Sequence, residues 1–240
     1  MTYCVGLLLK AGLVLLSDTR TNAGLDNIST YRKMFVFEEP GERVIVMMTA
    51  GNLSVTQTTL ARLQEAIDDP DATESRSIMR AENMLDVAMI VGDMLSTVTA
   101  ETRTRMDRMA QAANASMIVA GQRRGGKMRL FLVYPEGNFI EATEDTPYLQ
   151  IGEHKYGKPI LDRVITVDTP LADARKAAIL SMDSTLRSNL SVGMPLDLVV
   201  IETDALRITE QRRIEANDED FAAMSAAWSQ ALRDAFAQID

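Results

Sequence analysis

Two apolar runs fall within the first seventeen residues, separated only by Lys10, Ala11 and Gly12: Tyr-Cys-Val-Gly-Leu-Leu-Leu over 3–9 and Leu-Val-Leu-Leu-Ser over 13–17. Neither run alternates with polar residues, so neither has a face to turn to water. The pair reads as a hairpin of buried strands. A strand at 34–37, a turn over 38–43 and a strand at 44–48 follow, running into Thr49-Ala50-Gly51-Asn52. Leu60, Leu63 and Ile67 at helical spacing predict a helix over 54–67, and 68–73 with Pro70 is a loop. From about 78 to 113 the pattern is again helical, as one long helix or two, with Met84, Val87, Val91, Leu95 and Val98 on one face. Its methionines suit adaptable core and subunit packing.

Further on, strands at 116–122 and 128–134 flank the turn Arg123-Arg124-Gly125-Gly126, and 138–142 follows. Arg123 and Arg124 suggest a phosphate patch, but a solvated hairpin tip accounts for them better. Residues 149–154 read as a strand end leading into a short helix within 155–163. A helix over 172–189, strands at 195–202 and from 206 to 210 or beyond, and an amphipathic helix over 218–238 close the chain. No linker, repeat or low-complexity stretch divides it, so residues 1–240 are expected to form one domain. The element order is compatible with two sheets packed face to face between helical layers, although pattern alone does not fix that arrangement.

Composition excludes several functions. At 240 residues with 46% hydrophobic content, the chain can bury a full core. A single Cys leaves no intrachain disulfide and fits a reducing cytoplasm. A single His, His154, argues against a His-based triad or a zinc cluster, and it reads as a loop residue. The net charge of −9 disfavours nucleic acid, whose phosphates need a basic surface. The N-terminal apolar run lacks a basic lead and is broken by Lys10 and Gly12, so it is not a signal peptide. The apolar part of 84–95 contains Asp86 and Asp93 and is too short to span a bilayer, so no membrane role is expected.

The residues that carry chemistry lie mainly at the start. Met1 precedes a small residue, and its removal leaves Thr2 with a free α-amine: a hydroxyl nucleophile and its own base in one residue. On Thr2 alone, a simple strand start explains as much. Asp18-Thr19-Arg20-Thr21-Asn22-Ala23-Gly24 follows the second run, then Ser29-Thr30-Tyr31-Arg32-Lys33, then Gly51 at a strand-to-helix turn. With these motifs the chain resembles the proteasome β-subunit family, and most closely its bacterial branch called Anbu (ancestral β-subunit). Members of that branch begin with Thr after Met and share Ser-Thr-Tyr-Arg-Lys. The likeness spans essentially the whole chain, with residues 1–52 as its specific part.

The resemblance implies the N-terminal-nucleophile hydrolase fold, an α+β, four-layer αββα sandwich. It implies Thr2 as nucleophile with its α-amine as base, Asp18 and Lys33 as a buried pair that tunes them, and the Gly51 N–H as an oxyanion donor. Outside the family motifs, Asp18 and Lys33 would be an ordinary salt bridge, and Gly51 serves a turn as well as an oxyanion hole. Asn22 matches a position whose backbone pairs with extended peptide, Arg20 a structural support, and Thr49 and Leu53 lie near specificity-pocket positions. Two departures stand out. Where the family has Gly-Ser-Gly, this chain has Gly152-Glu153-His154. Where it has Asp-x-x-Ser-Gly, the chain has Ser188-Asn189-Leu190-Ser191. A hydroxyl and a carboxylate have thus exchanged places, so Glu153 is expected to hold the Thr2 amine, with Ser191 nearby. A carboxylate there keeps the amine protonated and lowers activity.

The function implied is a cytoplasmic threonine-type peptidase without metal or organic cofactor. It would assemble into rings or stacked ring-like homo-oligomers that confine peptide or unfolded-protein substrates. Nothing in the sequence identifies an ATP-driven unfoldase. With no residue before Met1, no propeptide cleavage is expected. A non-peptidase amide hydrolase on the same fold and a weakly active scaffold remain open as alternatives.

Overall fold

The computed structural model describes residues 2–22, 28–106 and 113–239. The hairpin that opens the chain, β1 (Tyr3–Leu9) and β2 (Gly12–Asp18), lies at the centre of a five-stranded antiparallel sheet. Its other strands are β10 (Tyr148–Gly152), β11 (Leu196–Glu202) and β12 (Glu210–Ile214), in the order β10-β1-β2-β11-β12. A second five-stranded sheet has the order β5 (Met34–Glu39), β6 (Arg43–Gly51), β7 (Ala115–Arg123), β8 (Arg129–Val133) and β9 (Phe139–Glu141). Between β2 and β5 the chain forms a small ribbon, β3 (Arg20–Asn22) with β4 (Ile28–Thr30).

The sheets pack face to face. Leu13 and Leu15 of β2 meet Val44, Val46 and Met48 of β6 and Ile118 and Ala120 of β7 in an inter-sheet core. The intervening residues face outward on both sheets and are just as apolar. Val14 and Leu16 pack under α3 (Lys158–Val164) and α4 (Leu171–Ser188), with α5 (Glu219–Phe236) at the margin. Ile45, Met47, Met117 and Val119 pack under α1 (Leu53–Asp68) and α2 (Met84–Met106). This explains the unbroken apolar runs, since the central strands are covered on both faces. The result is the αββα sandwich, with one core between the sheets and one under each helical layer.

The helix expected over 78–113 begins at Met84, where Asn83 Oδ1 accepts from the Leu85 and Asp86 N–H groups. Residues 107–112 of that expectation lie outside the described residues. The strand expected from 206 is displaced to 210–214, because Asp204 and Leu206 take positive φ values (65° and 50°) and spend that stretch in a turn. Asn52 caps α1 through the Val55 N–H at 3.2 Å, which ends β6 at Gly51. Among the described residues, no helix is long and apolar enough to cross a membrane.

Candidate active site

One end of the first sheet collects most of the motif residues. Thr2, buried, leads into β1, and β10 lies antiparallel beside it with Tyr3 opposite Gly152. The ladder continues one step further, with the Glu153 N–H donating to the Thr2 carbonyl at 2.7 Å. That bond sets the Glu153 backbone beside Thr2, one residue past the end of β10. Gly152 is what allows so close an approach. Its φ is +82°, and a Cβ there would lie 1.9 Å from the Thr2 carbonyl oxygen.

Asp18 ends β2 and is fully buried. Its Oδ1 accepts from Lys33 Nζ at 2.6 Å and from the N–H of Tyr3, the residue after Thr2, at 3.1 Å. Its Oδ2 accepts from the Gly193 N–H at 3.2 Å. One carboxylate thus joins β1, the Lys33 ammonium and the loop after α4. Burial pushes the Asp18 carboxyl up from its ordinary value, against the pull of Lys33 and of the Tyr3 and Gly193 N–H groups. Lys33 is also buried and gives a second bond to the Arg20 carbonyl at 2.6 Å. An ammonium has three donors, so the Asp18 and Arg20 bonds leave one for a further acceptor.

The Cys4 thiol lies close to this pair. Burial, together with the Asp18 charge, pushes its thiol far above the ordinary value, although Lys33 pulls the other way. A thiol held neutral in this way is unreactive.

The remaining expected residues lie at the end of β6 and the start of α1, in β3, in the loop after α4 and in the turn beyond β10. Gly51 ends β6 opposite Ala115 with φ +102°, and a Cβ there would meet the Asn114 carbonyl oxygen at 2.4 Å, so only glycine fits. The α1 N-terminus follows directly, adding its positive end to the Gly51 region. Thr49 is buried, and its N–H donates to the Lys33 carbonyl at 3.0 Å. Leu53, half-buried, opens α1. Asn22 is described by its backbone alone, as the last residue of β3, opposite Ile28. Arg20 reaches over the loop after α4, its Nη1 donating to the Leu190 carbonyl at 2.9 Å, and its guanidinium takes the space a Cβ at Gly193 would need. Ser191 enters that loop through its N–H, which donates to Asn189 Oδ1 at 2.9 Å. His154 is exposed in a turn beyond β10, its Nδ1 3.2 Å from the Gly152 carbonyl.

Three residues here received no role from the sequence: Asn189, Gly193 and Thr19. Asn189 Nδ2 donates to Glu153 Oε2 at 2.6 Å. Thr19 Oγ1 donates to the Pro195 carbonyl at 2.6 Å, and its own carbonyl accepts from the Tyr31 N–H at 2.8 Å. An Asn just past a helix with Ser two residues on is a recognisable turn signal. The partner it holds, Glu153, lies 36 residues away and leaves no local mark. Among the described residues, no three His, Cys, Asp or Glu side chains cluster as metal ligands would.

Similar proteins give this geometry a context. The family model described as proteasome subunit matches residues 2–201. Among solved structures, Anbu (ancestral beta-subunit) from Yersinia bercovieri is 45% identical, covering 99% of this chain and 97% of that one, with a TM-score of 0.92. Anbu from Hyphomicrobium sp. strain MC1 is 49% identical, with coverages of 99% and 98% and a TM-score of 0.89. A structure described as the helical assembly of the Anbu complex from Pseudomonas aeruginosa is 45% identical, covers 99% and 97%, and has a TM-score of 0.93. None of the curated proteins matches.

Proposed function

The chain belongs to the proteasome-subunit family, and on that premise we propose that it is a threonine-type hydrolase acting on peptide bonds, with Thr2 as nucleophile once Met1 is removed. The observation that carries this reading is the buried Asp18–Lys33 pair, anchored on the Tyr3 N–H beside Thr2. The third Lys33 donor serves the Thr2 hydroxyl, lowering its pKa, while Asp18 keeps the ammonium charged in a site where burial opposes charge.

The neutral α-amine takes the hydroxyl proton as Oγ bonds to the substrate carbonyl carbon. The carbonyl oxygen gains negative charge, which the Gly51 N–H and the α1 N-terminus stabilise; one such donor contributes about 3–4 kcal/mol. The C–N bond then breaks, the leaving amine takes the proton from the α-ammonium, and water hydrolyses the ester. Extended substrate pairs with the backbones of Asn22 and Gly51 in a short antiparallel ladder, with Thr49 and Leu53 beside it. Glu153 holds the α-amine, with Ser191 alongside, and by favouring the ammonium form it keeps turnover low. Copies of the chain assemble with one another, as the helical assembly of the Pseudomonas aeruginosa relative suggests. Leu232, Phe236 and Ile239 of the C-terminal segment, 51%, 80% and 76% exposed, supply an apolar stripe for a second copy. The assembly works in the cytoplasm, confining peptide or unfolded substrate.

The experiment is intact mass before and after a β-lactone. Loss of Met1 and one adduct, absent in Thr2→Ala, is the expected result. A free Thr2 that never reacts, in a protein that assembles normally, overturns the hydrolase in favour of a scaffold. Turnover of small amides but not of peptides would keep the nucleophile and change the substrate class.

A further inference from the structure

The Glu153 backbone lies beside Thr2, but a glutamate side chain turns about several bonds, and its backbone position alone does not hold the carboxylate over an amine. Asn189 supplies what the backbone does not. Its Nδ2 donates to Glu153 Oε2 at 2.6 Å, and its Oδ1 accepts from the Ser191 N–H at 2.9 Å. With both ends of the amide engaged, its orientation is fixed. Asn189 itself is anchored as the C-cap of α4, its N–H donating to the Thr185 carbonyl at 2.9 Å. Four residues on, the Gly193 N–H donates to Asp18 Oδ2, while Arg20 pins the Leu190 carbonyl between them. The loop after α4 therefore grips two carboxylates: that of Asp18, which accepts from the Tyr3 N–H, and that of Glu153, whose backbone N–H donates to the Thr2 carbonyl.

We propose that Asn189 is a positioning residue for the nucleophile: it occupies Glu153 Oε2 and so presents Oε1 to the Thr2 α-amine, setting how readily that amine gives up its proton. This rests on Glu153 being the amine's partner. Among the described residues, Asp18 and Lys33 are the ion pair bonded beside Thr2, with Arg20 and His154 further out on the same end of the sheet. All of these are unchanged in the variants below.

The test is the titration of the α-amine itself, read without any need for turnover. Assembled protein lacking Met1 is labelled with a limiting amount of acetic anhydride across pH, and the N-terminal peptide is quantified by mass spectrometry. In the wild-type chain the amine is expected to titrate above the ordinary value of about 8. Glu153→Gln lowers that value by about one pH unit, a tenfold gain in neutral amine near pH 7. Asn189→Ala is expected to lower it equally, and the double variant no further. Asn189→Ser keeps an oxygen for the Ser191 N–H but is too short to reach Glu153, so it should follow Asn189→Ala while preserving the loop turn. If both Asn189 variants titrate like wild type while Glu153→Gln shifts, Asn189 does not position the carboxylate and the Glu153 assignment stands. If Glu153→Gln leaves the titration unchanged, both assignments fall.

Discussion

Gly152→Ala should do more damage than its conservative appearance suggests, and Gly125→Ala provides its control. Both glycines have positive φ, +82° at Gly152 and +72° at Gly125. A Cβ at Gly125, in the hairpin tip after β7, meets nothing within 4 Å, so that substitution carries backbone strain alone, about 1 kcal/mol. At Gly152 the new Cβ falls 1.9 Å from the Thr2 carbonyl oxygen and 2.6 Å from its carbon. These are backbone atoms, which no rotamer change can move aside. Either β10 slides away from β1, losing the Glu153 N–H bond to Thr2, or Thr2 itself shifts. The clash and lost bond add about 2–3 kcal/mol to the strain, about 3–4 in all.

For a chain of this size each kcal/mol shifts Tm by about 2–4 °C, giving roughly 10 °C for Gly152→Ala against about 3 °C for Gly125→Ala. Calorimetry at matched protein concentration measures both, since self-association makes Tm concentration-dependent. The β-lactone adduct should form at the wild-type rate in Gly125→Ala and at least tenfold more slowly in Gly152→Ala. Equal Tm losses in the two variants, with equal labelling, would refute the claim that Gly152 is required for the approach of β10 to Thr2.

Lys33→Met strands the buried Asp18 charge and is expected to cost about 3–5 kcal/mol, whereas Asp18→Asn with Lys33→Met removes both charges and restores much of the stability without restoring the adduct. Chemical denaturation and intact mass on the three proteins decide this, and a double variant no more stable than Lys33→Met would count against a charge-driven loss. Because burial raises the Asp18 pKa, the carboxyl gains its proton while pH is still above the ordinary carboxylate value of about 4. Lys33 then loses its counter-charge, so adduct formation should fall off on the acid side beyond the loss that protonation of the α-amine brings, while Asp18→Asn, which lacks the counter-charge at every pH, should label slowly across the whole profile. Phe236→Glu with Leu232→Glu places two charges on the exposed stripe of α5 and is expected to lower the mass of the assembly measured by light scattering. An unchanged mass would move the self-contact elsewhere.

Local chemistry made much of the fold legible. Unbroken apolar runs marked β1 and β2 as buried strands because each is covered on both faces, β6 and β7 were legible as strands, and helical spacing placed α1, α4 and α5 within a residue or two at most ends. The strand misplaced by four residues shows where local signals stop. Leu206-Arg207-Ile208 has apolar strand character, but positive φ at Asp204 and Leu206 bends the chain there, and the Ile208 N–H bonds to the Glu38 side chain at 3.0 Å instead of joining the ladder. At the site, Asp18, Lys33 and Gly51 stand out because each sits in a short contiguous motif. Asn189 and Gly193 do not, because their meaning is entirely tertiary: each acts on a carboxylate that the fold brings in from a distant strand.

Asp18 also links the N-terminal strand to the order in which the chain is made. The carboxylate beside the first strand is completed by an N–H from residue 193, and the glutamate beside Thr2 waits for an asparagine at 189. A ribosome delivers Thr2 first and those two partners only after most of the chain has emerged. Contacts of such long sequence separation form late in folding. A truncated or half-made chain therefore carries Thr2 without the surroundings that residues 189 and 193 complete.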